Sequence, residues 1–404
     1  MAIIHPFKGW LPDPDLVDEV ACVPYDVINK EEAEKMAEGK PNSFLHVIRP
    51  EIDLPENTPF NDESVYKKGA ENLKNLLSSS LFQQDEKPHI YIYQLETKNH
   101  TQTGVFTCVS VQDYDNNVIL KHELTRPDKE DDRTRHILEQ LAHAEPVMFT
   151  FRDNEEIQFL IEKTISTSTP VIEHTGDDAV THRVWKTDKT AHFAETFANI
   201  KHFYVADGHH RCKAASRAAE KLRKQQNIFP GEAEFEYFPA VLFPMNQMRI
   251  LPYNRILTNA NTDQIDELFN TFSPERTREY EPAAKGEICI YYKDSWFKMS
   301  LPDPVKTDAV SNLDAARLQN LILEPFFGIK NPRTDPDIQF VGGIRGTAEL
   351  ERLVDSGNAV LAISMYPTSI EELVAVSDAG MLMPPKSTWF EPKLKSGIII
   401  HTFE

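Results

Sequence analysis

The chain has 404 residues, enough for two or three domains of ordinary size rather than one small core. Its 63 acidic residues against 43 basic ones give a net charge of −20, which opposes nonspecific nucleic-acid binding but leaves room for small anions at local basic clusters. Hydrophobic residues make up 40%, and no run approaches the roughly 18 uncharged apolar residues of a membrane span, so a cytoplasmic protein without membrane contact is expected.

In chain order, the first 60 residues are broken by prolines and contain Val23-Pro24-Tyr25-Asp26-Val27-Ile28. Residues 62–80 suit a helix, with Tyr66, Ala70, Leu73 and Leu77 near helical spacing. His89 to Gln94 and Gly104 to Val111 read as strands, and the polar turn Lys98 to Thr101 between them predicts a hairpin. Residues 118–151 read as strand, charged segment, helix from Ile137 to Leu141, and strand from Val147 to Phe151. Val184-Trp185 and Phe203 to Val205 bracket a helical region near 190–200. Ala240 to Met245 is a buried strand, 263–272 a helix, and Glu287 to Tyr292 opens a later strand group. Towards the end, Phe340 to Gly346 is a glycine loop ahead of a helix, and Ala359 to Met365 is a strand. Thr368 and Glu371 have capping-box spacing, with Gly380 closing that helix. Helices and strands alternate throughout, so the fold class is mixed α/β or α+β. The turn-rich stretch 258–262 marks a boundary between residues 1–262 and 263–404. The four cysteines, Cys22, Cys108, Cys212 and Cys289, form no Cys-x-x-Cys pair, and buried thiols are expected.

The run Tyr204-Val205-Ala206-Asp207-Gly208-His209-His210-Arg211 carries the most chemistry. An apolar strand ends in Asp-Gly, and a helix starts at once with Cys212-Lys213-Ala214-Ala215. Glycine lets the backbone approach an oxyanion, helix N-terminal amides point at it, and imidazoles with a guanidinium add donors. The plain alternative is a surface turn with a helix cap. Lys213 and Arg217 are four apart and should add positive potential beside the box. The second segment, Lys121 to His136, is either a solvated charged loop or a site at a strand end. There Glu123 suits a general base or, with Asp132, a magnesium ligand. Pro24-Tyr25-Asp26, Gly342 to Gly346 and Met383 to Lys393 are weaker signals. The last could place Lys386 or Trp389 over a ligand, or could equally be a structural arm or a contact in a homodimer. No Walker, dinucleotide, nucleophile-elbow or zincin motif is present, which removes the common nucleotide-hydrolase, dehydrogenase, hydrolase and zincin readings.

Asp207 to Arg211 resembles the phosphate-binding box of the ParB/sulfiredoxin superfamily. Val23 to Ile28, His122-Glu123-x-Thr125, Asp131-Asp132-Arg133, Pro252-Tyr253-Asn254-Arg255, Phe340 to Gly346 and Pro384 to Phe390 occur in the same order in a widespread bacterial family of unknown function. The resemblance covers nearly the whole chain. It implies a ParB/sulfiredoxin-like nucleotide-binding core with an added α/β C-terminal region. Related proteins include free-serine kinases, which make O-phosphoserine from L-serine with ATP or ADP and magnesium. Carried over, Gly208, His209, His210 and Arg211 hold nucleotide phosphates, with His122, Thr125, Arg133, Arg345 and Lys386 as further nucleotide contacts. Glu123, Asp207 and Asp26 are the candidate catalytic carboxylates, Glu123 favoured, and Glu123 with Asp132 would hold magnesium. The sulfiredoxin relatives need a cysteine in the box; a histidine stands there instead, and Cys212 lies just past it, so redox repair is not expected. The alternative function is a ParB-like nucleotide-binding regulatory protein with no acceptor substrate.

Overall fold

The computed structural model describes residues 2–304 and 306–403. The chain forms two compact units, and its order is interleaved between them. The first holds the chain up to Lys121, then Thr125–Met248, then Pro392 onward; the second holds His122–Leu124 and Arg249–Glu391. The turn-rich stretch 258–262 therefore lies inside the second unit.

The first unit is built on a mixed sheet. Its strands run, side by side, Ile119–Leu120, Phe203–Asp207, Val147–Phe151, Tyr237–Pro244, His100–Ser110, Ile90–Thr97, Thr181–Thr187 and Ile172–Thr175, with Ile4–His5 also paired to His100–Ser110. The hairpin forms as expected, closing at Thr97 opposite His100. These strands are rich in β-branched and aromatic residues, and most of their side chains are buried, as a sheet with covered faces requires. Helices Glu155–Thr167, Thr190–Phe197 and His209–Gln226 bring Ile157, Leu160, Phe193, Phe197, Cys212, Ala215 and Leu222 into one core with Ile92, Val105, Phe149, Val205 and Leu242. A second apolar cluster joins Val20, Cys22, Tyr25, Phe44, Val47 and Leu73 of the N-terminal segment to Ile400 of the tail.

The charged run after Lys121 is a helix, Pro127–Gln140, not a loop leading to a short helix at Ile137. Proline at its start needs no N–H partner, and Asp128 and Glu130 face the positive end of the helix dipole. One side of it, with Ile137, packs on Ala214 and Ala218 of helix His209–Gln226. Small alanines let the two helices approach closely.

The second unit has an antiparallel sheet ordered Glu275–Thr277, Ser295–Ser300, Glu287–Tyr292, Leu361–Met365, Tyr253–Leu257 and Ile338–Gly342. Strand Glu287–Tyr292 shows why it is buried on both sides. Ile288 and Ile290 enter one core, while Cys289 and Tyr291 enter the other, the two-residue period of a strand. Helix Ile370–Asp378 is capped by Ser369 with Glu372, one residue later than the Thr368 and Glu371 spacing predicts. Ser369 wins because its backbone is extended and its hydroxyl accepts from the Glu372 amide. Gly380, in the left-handed region, follows that helix as expected. Among the described residues no helix is long and apolar enough to cross a membrane.

Candidate functional site

Strand Phe203–Asp207, an inner strand of the sheet, ends on Asp207 beside the entry of the antiparallel strand Val147–Phe151. The register slips between Val205 and Asp207, a bulge that re-aims the last residues of the strand. Gly208 then turns the chain with φ 99°, the left-handed region, and helix His209–Gln226 begins with no side-chain cap. Only glycine fits there. A Cβ on Gly208 would stand 2.9 Å from Val147 Cγ1 and 3.1 Å from Arg211 Nε.

Arg211 is the internal prop of this turn. Buried among its partners, it donates from Nη1 to the Pro146 carbonyl and from Nη2 to Asp207 Oδ2 at 3.1 Å, with Asp26 Oδ2 3.8 Å away. Burial opposes its charge, but Asp26, Asp207 and Glu145 hold its pKa above the ordinary arginine value. Asp207 also faces Lys393 Nζ, 3.5 Å from its Oδ1. Burial pushes the Asp207 carboxyl up; Lys393 and Arg211, with His209, more than offset this and hold it well below the usual carboxylate range. His210 Nδ1 accepts from the Arg126 amide at 3.4 Å, which leaves the proton on Nε2 and makes the outer nitrogen a donor.

The Pro24-Tyr25-Asp26 turn reaches the same place through a buried carboxylate that sequence reasoning missed. Glu145 Oε1 accepts from the Tyr25 amide at 3.1 Å and from the Ser396 hydroxyl at 3.1 Å. Its Oε2 lies 3.9 Å from Arg133 Nη1. Burial raises the Glu145 pKa despite Arg211 and Arg133. Arg133 stacks over the Tyr25 ring at 4.1 Å and donates from Nε to Asp132 Oδ2 at 2.9 Å. Tyr66 donates to the other Asp132 oxygen at 3.2 Å. A small cavity of about 40 Å³ is lined by apolar Ile48, Ile137, Val147 and Phe238 together with Arg133, Glu145 and Arg211.

The first unit thus brings together Asp26, Asp132, Arg133, Asp207, Gly208, His209, His210 and Arg211. Thr125 sits at the start of helix Pro127–Gln140, where its hydroxyl donates to Glu130. Arg217 does not add positive potential to the box, contrary to expectation. Its Nη1 is 3.1 Å from Glu130 and its Nη2 pairs with Asp131, so helix Pro127–Gln140 neutralises it. Cys212 is fully buried and its thiol is pushed up to about 12 by burial, as an inert thiol should be. All four cysteines are buried and free.

The remaining candidates belong to the second unit. The His122 carbonyl accepts from the Met383 amide at 2.7 Å, and His122 Nε2 lies 3.4 Å from the Thr388 hydroxyl. Glu123 follows it in the same short segment. Lys386 holds a left-handed backbone, φ 57°, its carbonyl accepting from Arg255 at 3.2 Å and its ammonium 5.5 Å from the Tyr253 ring centre. Trp389 lies edge-on to Tyr253 at 5.3 Å, and Gly342 leaves room for its ring. Arg345 immediately precedes helix Gly346–Asp355. Among the described residues no group of three or more His, Cys, Asp or Glu forms a metal cage.

Glu145 and Lys393 carried faint signals. Glu145 is a lone carboxylate set directly before the apolar run Val147 to Phe151, and Lys393 follows a proline in a basic stretch. Their roles come from contacts more than a hundred residues away in sequence, which local pattern does not register.

The model of the family described as a protein of unknown function, DUF1015, matches residues 4–316. The chain belongs to the DUF1015 family. No curated protein matches this DUF1015 chain. Among solved structures, a free serine kinase in complex with AMP is 11% identical at TM-score 0.37, covering 70% of this chain and 86% of that one. A variant of a free serine kinase has been solved with ADP. SbnI with a C-terminal truncation, from Staphylococcus aureus, is 13% identical at TM-score 0.38, covering 72% of this chain and 85% of that one. A conserved hypothetical protein from Pyrococcus furiosus is 12% identical at TM-score 0.35, covering 70% and 90%. These likenesses are distant.

Proposed function

We propose that this DUF1015 protein binds a nucleotide by its phosphates at the Asp207–Arg211 box, as the ParB/sulfiredoxin resemblance implies, and transfers a phosphoryl group to a small acceptor, free L-serine. The observation that carries the reading is the Gly208 turn. It opens a long helix without a side-chain cap directly after Asp207, which pairs with Lys393. Phosphoryl transfer needs positioning and charge neutralisation more than covalent help, and helix N-terminal amides with the Lys393 ammonium would supply both.

In this reading ATP or ADP is the donor, and magnesium bound with its phosphates would supply charge neutralisation there, with a carboxylate of the box as protein partner. Asp132, with one oxygen held by Arg133 and the other by Tyr66, is a poor choice for that role. The acceptor hydroxyl must lose a proton. Asp26 is the best-placed base of the box, its side chain 34% exposed against 27% for Asp207, which two cations already hold.

The test is phosphorus NMR of the protein with Mg·ATP or Mg·ADP and L-serine. A phosphomonoester signal that is absent with Asp26→Asn supports the kinase reading with Asp26 as base. A signal that persists with Asp26→Asn takes the base role from Asp26. Nucleotide binding with no amino-acid-dependent turnover assigns the regulatory reading. No binding of either nucleotide overturns both.

A further inference from the structure

Two carboxylates, Asp26 and Asp207, share one guanidinium, Arg211, at 3.8 and 3.1 Å. In a chain of net charge −20, that arrangement would repel a phosphate rather than hold it. Arg211 cannot reverse this, because its Nη1 and Nη2 already serve Pro146 and Asp207 and it is buried. The compensating cation comes from the far end of the chain. Lys393 Nζ stands 3.5 Å from Asp207 Oδ1, with its side chain 16% exposed.

The tail that carries Lys393 is fixed rather than loosely laid. Ser396 exchanges backbone hydrogen bonds with Cys22 at 2.9 and 3.1 Å, and Ile400 pairs with Trp10 at 3.0 Å. His401 then pairs with His143 in a short antiparallel ladder. The Ser396 hydroxyl and the Tyr25 amide both donate to Glu145 Oε1. One buried carboxylate therefore fixes both the segment bearing Lys393 and the turn bearing Asp26. An ammonium donates in three directions, so it can serve Asp207 and a phosphate oxygen together.

We propose that Lys393 is a phosphate-binding residue of the Asp207–Arg211 site, delivered by the C-terminal tail and oriented by Asp207. This deepens the nucleotide-binding reading and rests on it. The polyphosphate part of a nucleoside di- or triphosphate is the ligand chemistry that Lys393 would recognise, while the nucleoside would be held elsewhere. Asp207 then acts as a positioning residue for the ammonium.

Calorimetric titration of adenosine, AMP, Mg·ADP and Mg·ATP into the full-length protein tests this. Lys393→Ala should weaken Mg·ADP and Mg·ATP by about tenfold or more, the scale of one charge-assisted hydrogen bond, and leave adenosine unchanged. Lys393→Arg should restore much of the loss. Lys393→Ala with Asp207→Asn separates a phosphate contact from mere neutralisation of Asp207. If Lys393 only offsets that carboxylate, the double variant recovers wild-type affinity, and the proposal fails. If the loss persists in the double variant, the proposal stands. An equal loss for all four ligands, adenosine included, overturns it as a structural effect; Lys393→Met is the second variant should the alanine protein not fold. Wild-type protein that binds no nucleotide sinks the underlying reading as well, whereas wild-type binding with unchanged Lys393→Ala affinities sinks this inference alone.

Discussion

Replacing Gly208 with alanine tests the geometry of the box with the smallest possible change. Two costs add. A non-glycine residue at φ 99° pays on the order of 1–2 kcal/mol for the left-handed region. The new Cβ also meets Val147 Cγ1 at 2.9 Å and the Arg211 guanidinium at 3.1–3.2 Å, and neither can yield easily, since Val147 lies in a sheet and Arg211 is tied to Pro146. Crowding of this kind costs about 1–3 kcal/mol. The sum, roughly 2–5 kcal/mol, corresponds to a fall of about 5–15 °C in the unfolding midpoint for a unit of this size. Gly39 is the control, with φ 71° and nothing within 4 Å of its would-be Cβ. Gly39→Ala carries the backbone cost without the contact, and should fall by no more than a few degrees. Differential scanning calorimetry of both variants reads the difference. Equal midpoints for Gly208→Ala and Gly39→Ala would refute the close approach of Val147 and Arg211, and with it the tight turn on which the phosphate site depends.

Four further outcomes are expected. Glu145→Ala strands the Tyr25 amide and should cost about 1–3 kcal/mol in denaturant unfolding, while a change within error would show that this buried acceptor does not matter. Because burial raises the Glu145 pKa in the folded protein, that protein binds the proton more tightly than the unfolded chain; stability should fall as pH rises from about 4.5 through the raised value, and Glu145→Gln should remove that slope. Glu234 behaves in the opposite way: burial pushes it up, but hydrogen bonds from His401 and His5 hold it down to about 2. Its contribution is full above pH 4.5 and lost as pH falls towards 2, so Glu234→Gln should flatten the acid limb of the stability curve, and an unchanged limb would contradict the His5–Glu234–His401 clamp. Finally, the native protein should show almost no thiol reactive towards an aromatic disulfide until it unfolds; rapid reaction at Cys212 would reopen redox chemistry beside the box.

The strand, glycine turn and helix at 203–226 were legible because each step has a local signature: β-branched and aromatic residues, Asp-Gly, then an alanine-rich helix. The hairpin at 90–110 was legible for the same reason. The run after Lys121 misled because its charges look solvated. They are helical because Pro127 starts the helix and Arg217, ninety residues later, meets Glu130 and Asp131. Glu145 and Lys393 were hidden in a stronger sense. Each matters only through partners far along the chain, Tyr25 and Ser396 for one, Asp207 for the other. The return of residues 392–403 to the first unit likewise leaves no periodic trace, since it rests on isolated bridges such as Cys22 with Ser396. The helix cap at Ser369 shows the finer limit: two adjacent hydroxyl residues offer the same motif, and only backbone geometry chooses between them.

The central claim is that the Asp207–Arg211 box holds nucleotide phosphates, and titration of Mg·ADP into wild-type protein and His210→Ala tests it most directly. His210 is less buried than Arg211, so its loss should leave the fold intact. Wild-type binding that weakens by about tenfold or more in His210→Ala is the predicted result. Equal affinities in the two proteins, or no binding to the wild type, would contradict it.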